Sequence, residues 1–206
     1  MLLSSIAVIF VTLPIHECAH GFVSTKLGDP TPRYQGRLTL NPFAHLDLIG
    51  SLGILLFGIG WAKPVQVNAR YYKNPKWGMA LVALAGPLSN IVLAFILLVI
   101  GNILVITGNP ILEMAFYFLH YIAFISTSLA IFNLIPVPPF DGSRILFAIL
   151  PQRYYFKIMQ YERFIFIGIF IVIYSGLLDA PLDFLTYGLF NKINNLAILP
   201  FTLLGV

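Results

Sequence analysis

A run without a single charged residue, from position 79 to 106, sets the strongest limit on what this chain can fold into. A helix that crosses a lipid bilayer needs about 20 mostly apolar residues, and this run exceeds that length. The rest of the chain agrees, because 59% of its 206 residues are hydrophobic and only 10% are charged. Soluble domains carry about 25% charged residues. We therefore expect an integral membrane protein.

Several segments approach or reach the length of a spanning helix. They are residues 2–25, 79–106, 114–135 and 163–178. A fifth apolar stretch, from Pro181 to the C-terminus, is interrupted by NKINN and Pro200, and is expected as one distorted span or two half-length pieces. The pattern predicts an all-α polytopic membrane protein with a bundle of about four to six transmembrane helices.

Residues 46–61 have an apolar core of about 14 residues, which is too short to cross comfortably. Basic residues precede this segment and also follow it. A full crossing would place one basic cluster outside, against the positive-inside tendency. A re-entrant segment near 46–61 returns both clusters to the cytoplasm. We therefore expect a multi-pass protein of the cell membrane with its functional region toward the cytoplasmic side. The net charge of +4 is assigned to membrane orientation, and no nucleic acid partner is expected.

Two segments, RYQGRLTL at 33–40 and WAKPVQVN at 61–68, are rich in Thr, Val and Tyr with partial alternation, which predicts short strands. Non-helical backbone at membrane depth is tolerated where it is buried in protein or lines a cavity. A small membrane-associated β element beside a cleft is therefore expected. No long polar or low-complexity stretch indicates a second unit, so we expect a single integral-membrane domain over residues 1–206 with its functional core over about 1–150.

The stretch LPIHECAHGFV, residues 13–23, places three ionisable side chains in an apolar run. His16 and His20 are four residues apart, so a helix presents both imidazoles on one face, as two ligands of one metal ion require. Glu17 lies beside His16 and can reach a water at the metal without ligating it. The alternative is two histidines hydrogen-bonded to neighbouring helices. Because intramembrane ionisable groups are costly and usually functional, the metal interpretation is favoured.

A catalytic zinc ion usually has three protein ligands and a water. The segment FNLIPVPPFDGSR, residues 132–144, provides Asp141 directly after a helix that its prolines interrupt. A carboxylate placed there can approach the first helix. The alternative is that Asp141 caps a helix that begins near Gly142.

These motifs resemble those of the site-2 protease family of intramembrane zinc metalloproteases, peptidase family M50. HECAH is similar to the family's HExxH motif. The family's Asn-Pro-Asp-Gly motif is matched by Asn133, Pro136, Asp141 and Gly142. ALAGPLSN at the start of the second span resembles the Gly-Pro element that precedes the middle core helix of the family. The likeness covers roughly residues 1–165 and is greatest with the compact bacterial branch that lacks PDZ and CBS domains.

The resemblance implies that His16, His20 and Asp141 bind one Zn²⁺ per chain and that Glu17 activates the water. It also implies that Asn133 stabilises the oxyanion, although an interhelical hydrogen bond is the alternative for this residue. The implied activity is that of a zinc metalloendopeptidase, a hydrolase that cuts peptide bonds within or near transmembrane segments in regulated intramembrane proteolysis. Its implied partners are a transmembrane protein substrate, the lipid bilayer and a regulatory membrane protein.

Two further polar residues are candidates for lining the cavity or contacting substrate. His45, in NPFAHLD, is either such a residue or a turn or interface histidine. Asn90, in GPLSN, is expected first to serve helix packing beside Gly86 and second to contact substrate. Two rival functions remain open at this level: a metal or small-molecule transporter, whose polar groups would follow several spans, and an inactive relative that binds membrane proteins without cutting them.

Overall fold

The computed structural model describes residues 2–57, 60–107 and 109–204, and the regular secondary structure within these ranges is helical. The first helix, α1 (Leu2–Ala7), continues through a π-helical turn (Val8–Thr12) into α2 (Leu13–Lys26). Pro14 has no N–H to donate to the preceding turn, which accounts for the local widening. The continuous segment Leu3–Lys26 is long and apolar enough to cross a membrane.

Three short helices follow: α3 (Thr31–Tyr34), α4 (Pro42–His45) and α5 (Leu48–Phe57). With ten residues α5 is about 15 Å long, half the thickness of a bilayer core. The backbone carbonyl of Trp61 occupies the space that a Cβ on Gly50 would need, so the chain returns to the start of α5. The re-entrant path near 46–61 stays a prediction, and residues 58 and 59 of that segment lie outside the described residues.

After a 3₁₀ turn (Ala69–Tyr71) come the two longest spans, α6 (Pro75–Ile106) and α7 (Pro110–Asn133). Asn74 and Asn109 cap their N-termini by accepting hydrogen bonds from the N–H groups of Trp77 and Ile111. Both helices are apolar enough to cross a membrane. They pack through small buried residues such as Ala94 and Ala123, which allow the backbones to approach closely.

The last part of the chain contains α8 (Asp141–Ile149), α9 (Gln152–Met159), α10 (Glu162–Tyr174) and α11 (Asp179–Leu204). Gly176, at φ 73°, turns the chain between α10 and α11, which meet at 81°. The inner face of α11 packs on α6 and α7. The shared core consists of Ala94, Leu98, Ala123, Phe190, Ile193 and Ala197.

The described residues confirm a helical membrane protein with three candidate spans, or up to four if the bent α10–α11 pair counts as one. The predicted count of four to six transmembrane helices is not confirmed. The segment 163–178 does not form a span by itself, because α10 has 13 residues and ends before Gly176.

The predicted β element is not found in the described residues. In the first segment residues 33–34 form the end of α3 and residues 35–40 contain no strand, while residues 61–68 have no regular secondary structure and no partner strand. The N–H groups of the second segment are bound elsewhere. Lys63 N–H donates to the His45 carbonyl, Val65 N–H to Glu17 and Asn68 N–H to Asp29. Two carboxylates and the backbone carbonyl at the end of α4 therefore accept the hydrogen bonds that a partner strand would have accepted.

Candidate metal centre

Three ligand-type side chains from distant parts of the sequence converge where α2, α6 and α8 meet. Asp141 Oδ2 lies 3.1 Å from His16 Nε2 and 3.2 Å from His20 Nε2. The two Nε2 atoms are 3.0 Å apart. Ligands about 2.0 Å from a tetrahedral ion are about 3.3 Å from each other, so the observed triangle has nearly the size that a zinc ion needs.

The hydrogen-bonding state of His20 shows why this triangle fits a cation. Its Nδ1 lies 2.7 Å from the carbonyl oxygen of Val82, which can only accept, so Nδ1 carries the proton. In the neutral ring Nε2 then presents a lone pair toward Asp141 Oδ2, itself an acceptor. Asp141 Oδ2 accordingly has no hydrogen-bond partner although it is buried. Converging buried acceptors repel each other unless a cation lies between them, so the cluster could hold a metal ion.

His16 is oriented by Asn90, which the sequence alone had favoured as a packing residue. The Asn90 amide is fully buried on α6, and its nitrogen lies 3.2 Å from His16 Nδ1. Its Oδ1 has no partner in this orientation. The two ends of an amide are assigned from the hydrogen-bond network. With Oδ1 turned toward the ring, Asn90 accepts the Nδ1 proton and leaves the Nε2 lone pair for a metal.

Asp141 reaches the histidines because the chain turns sharply after α7. Residues 134–140 form a loop of tight turns around the three prolines, and α8 begins at Asp141. The cap position is Phe140, and no side chain caps the helix, so the structure does not show the N-cap role considered for Asp141. Gly142 lies against the backbone carbonyls of Leu134 and Ile135, where a Cβ would collide.

Gly86 on α6 allows the third helix of the site to approach. A Cβ on this residue would lie 2.5 Å from both His16 Cε1 and His20 Nε2. Glycine removes that collision and brings the Val82 carbonyl and the Asn90 amide within reach of the two rings. Helix α6 therefore supplies a hydrogen-bond partner for the second ring nitrogen of each histidine.

A cavity of about 680 Å³ opens beside the cluster. Its wall includes His16, Glu17, His20, Asn133, Asp141 and Arg144, and otherwise consists mainly of apolar side chains such as Phe132, Phe140, Phe166 and Phe170. One oxygen of Glu17, Oε2, accepts a hydrogen bond of 2.9 Å from Val65 N–H. The Asn133 amide donates one hydrogen to the Leu129 carbonyl at 2.9 Å, and its second hydrogen remains available.

The structure does not bring His45 to this cavity. Its buried ring is bonded to the Thr39 carbonyl at 2.9 Å, and His45 is not among the residues of the cavity wall. The turn or interface alternative describes its position. Arg144 is the cavity residue that the sequence reading missed. The spacing could have indicated this position, because Arg144 follows Asp141 by three residues and a helix places both on one side.

A second polar cluster, centred on Asp29 just after the end of α2, contacts the segment of residues 61–68. Asp29 is fully buried and accepts hydrogen bonds from Ser24, from Thr31 N–H and from Asn68 N–H at 2.7–2.9 Å. Burial opposes ionisation of this carboxyl group. The hydrogen bonds from Thr31, Asn68 and Ser24 outweigh it and hold the pKa of Asp29 below its ordinary value. An ionised Asp29 therefore anchors residues 61–68 beside α2.

Fold and site together define a helical membrane protein with a buried His-His-Asp cluster, a glutamate and an apolar cavity. The family model described as peptidase family M50 matches residues 100–175. The chain is 40% identical over 180 residues to "Putative zinc metalloprotease YwhC" of Bacillus subtilis, covering 81% of this chain and 77% of that protein. It is 33% identical over 138 residues to "Putative zinc metalloprotease Rip2" of Mycobacterium tuberculosis, covering 64% of this chain and 51% of that protein.

No solved structure shows significant similarity to the chain. The relative from Bacillus subtilis is similar over most of both sequences, whereas the match spans about half the length of the mycobacterial one. This chain belongs to peptidase family M50, the site-2 protease family. The resemblance seen in the HECAH and NLIPVPPFDG motifs is thereby confirmed.

Proposed function

We propose that this chain is an intramembrane zinc metalloendopeptidase that hydrolyses peptide bonds within or near transmembrane segments of membrane proteins, as a step in regulated intramembrane proteolysis. The observation that carries the proposal is the cluster of His16, His20 and Asp141 with Glu17 on the wall of one apolar cavity. The matched relatives are named zinc metalloproteases, and the size of the triangle fits zinc.

In this proposal His16, His20 and Asp141 hold one zinc ion per chain. The ion supplies Lewis-acid polarisation of the scissile carbonyl and lowers the pKa of a water molecule. Glu17 accepts a proton from the attacking water and delivers it to the amine leaving group. Val65 N–H fixes one oxygen of the Glu17 carboxylate and leaves the other free for this transfer. The second amide hydrogen of Asn133 stabilises the developing oxyanion.

The cavity supports a transmembrane segment as substrate. Aromatic side chains from α7, from the loop before α8 and from α10 form much of its wall, and apolar walls bind apolar side chains. A helical substrate must unwind before its peptide bonds can react. Within the described residues the N–H groups of Ala62 and Gln66 have no partner, so this non-helical segment can pair with an unwound substrate.

The proposed orientation places the active site toward the cytoplasm in the cell membrane. His20 precedes the last residue of α2, Lys26, by six positions, or about 9 Å, so water has a short path to the site. The whole chain acts as one catalytic domain, with α5 as a re-entrant element.

The test is cleavage of a single-span membrane protein in vesicles that contain the purified chain. We expect wild type to cleave, chelator to abolish cleavage and added zinc to restore it. Glu17→Gln should lower the rate by about 1,000-fold or more while zinc still binds, because the ligands remain and the base is lost. Glu113→Gln, an exposed glutamate in the first turn of α7, is the matched control and should retain activity.

Cleavage that survives Glu17→Gln would refute the mechanism. Zinc binding without cleavage in wild type would support the inactive-relative alternative. Metal uptake into the vesicles without cleavage would favour a transporter.

A further inference from the structure

The face of α11 that does not pack on α6 and α7 carries exposed polar side chains. The inner face of this helix, with Phe190, Ile193 and Ala197, packs on the other spans. Asn191, Lys192 and Asn195 lie on the opposite side and are exposed. A helix that merely crosses lipid would present apolar side chains there, so these residues need an explanation.

The depth follows from what α11 contacts. Its inner residues pack on Ala94 and Leu98 of α6, which precede the end of that helix at Ile106 by about 12–18 Å. They also pack on Ala123, about 20 Å from the start of α7 at Pro110. Because the hydrocarbon core is about 30 Å thick, these contacts lie near its centre. Asn191, Lys192 and Asn195 are within one turn of Ile193 and share that depth.

The same face has the spacing of a helix–helix interface. Gly188 precedes Asn191 by three residues and Asn195 by seven, so all three follow one line along the helix. A Cβ on Gly188 would meet no atom within 4 Å, so the space beside it is open to a neighbouring helix. Small residues that permit close approach and asparagines that bond across helices are typical of membrane helix interfaces. We call Gly188, Asn191, Lys192 and Asn195 the α11 outer face.

Lys192 decides the kind of partner. Within the described residues the ion pairs are those of Asp141 with the two site histidines, so Lys192 has no counter-ion in this chain. A second copy would bring its own Lys192 to the same depth, because both copies have the same orientation in the membrane, and the two ammonium groups would repel. A carboxylate on another protein, at the same depth in the membrane, would supply the counter-ion of the Lys192 ammonium group.

We propose that the α11 outer face binds a transmembrane helix of another membrane protein that carries an aspartate or glutamate near its midpoint. Lys192 pairs with that carboxylate, while Asn191 and Asn195 bond to its polar neighbours and Gly188 admits its backbone. This partner is not a substrate in the cleavage site, because no residue of α11 contributes to the cavity wall. The face provides a docking position for an accessory or regulatory protein.

The test measures energy transfer in phosphatidylcholine vesicles between this 206-residue chain and acceptor-labelled model helices. The donor is attached at Thr202→Cys in a Cys18→Ser background, since Cys18 is the single native cysteine. Three leucine-based helices of about 21 residues carry Asp, Leu or Lys at the centre. We expect the Asp helix to associate about tenfold or more tightly than the Leu helix.

Lys192→Leu should remove this preference, and Lys192→Glu should transfer it to the Lys helix. The reversed preference is a gain of binding that a misfolded protein would not show. Lys157→Leu, an exposed lysine on α9, is the matched control and should leave the preference for Asp unchanged. Equal association of the Asp and Leu helices, or a preference that persists in Lys192→Leu, would overturn the proposal. Self-association of labelled copies that is lost in Asn191→Leu would assign the face to a second copy and also overturn it.

Discussion

Gly86→Ala offers the sharpest test of the way in which α6 supports the histidine pair. The added Cβ would lie 2.5 Å from His20 Nε2 and 2.6 Å from His16 Nε2, whereas ordinary van der Waals contact begins near 3.4 Å. Either the rings or α6 must therefore move by about 0.9 Å. A displacement of about 1 Å at a catalytic centre can lower the rate about 100-fold, or about 2.7 kcal/mol in activation free energy.

The substitution separates this effect from a loss of helix stability. Alanine is about 1 kcal/mol better than glycine in a helix interior, so the helix itself should not weaken. We expect zinc affinity to fall about 10–100-fold and cleavage about 100-fold, while the protein remains folded in detergent. Zinc affinity is measured by competition with a chromophoric chelator, and cleavage with the reconstituted single-span substrate.

Gly168→Ala is the matched control, because it adds the same methyl group to a helical glycine of α10 where no atom lies within 4 Å. It should change neither quantity. If Gly86→Ala keeps zinc affinity and cleavage within about threefold of wild type, the packing of α6 against the histidines does not support the site as described.

Three further substitutions test the surrounding residues. Asn90→Leu removes the bond to His16 Nδ1 and should lower zinc affinity about 10–100-fold in the chelator competition; unchanged affinity would exclude a positioning role. Asn133→Leu should lower the cleavage rate about 100–1,000-fold with zinc affinity unchanged, and a normal rate would leave Asn133 only its bond to Leu129. Asp29→Asn should cost about 1.5–3 kcal/mol of stability at pH 7 through weaker hydrogen bonds. Because folding lowers the pKa of Asp29, its contribution is present above the ordinary pKa and is lost as pH falls through the folded value. The difference in stability between wild type and Asp29→Asn, measured by thermal unfolding in detergent, should therefore shrink as the pH falls below about 4. A stability difference that does not change with pH would contradict this assignment.

Local sequence patterns were sufficient to predict a helical membrane protein and the histidine pair of the candidate site. Apolar runs predicted the helical spans that end near Lys26, Ile106 and Asn133, because in lipid the backbone must satisfy its own hydrogen bonds. The four-residue spacing of His16 and His20 predicted two imidazoles on one helix face for the same local reason. These features depend on residues close together in the chain, so the sequence contains them directly.

The same local reasoning failed where backbone groups found distant partners. The alternation in residues 61–68 predicted a strand, but Glu17 and Asp29 accept hydrogen bonds from two of its N–H groups, and no strand ladder forms. His45 was a cavity candidate by its residue type, yet its ring bonds to the carbonyl of Thr39 in the loop before α4.

The tertiary structure alone decided how the cluster is completed. Asp141 could have capped α8, and the turn through the prolines instead directs its carboxylate to His16 and His20. Asn90 was predicted first as a packing residue, and the structure shows it as a hydrogen-bond partner of His16, because Gly86 allows α6 to lie close to α2. The sequence by itself determined which groups are costly to place in a membrane. Packing between helices far apart in the chain determined which of those groups meet, because such contacts depend on the space left between side chains rather than on any local repeat.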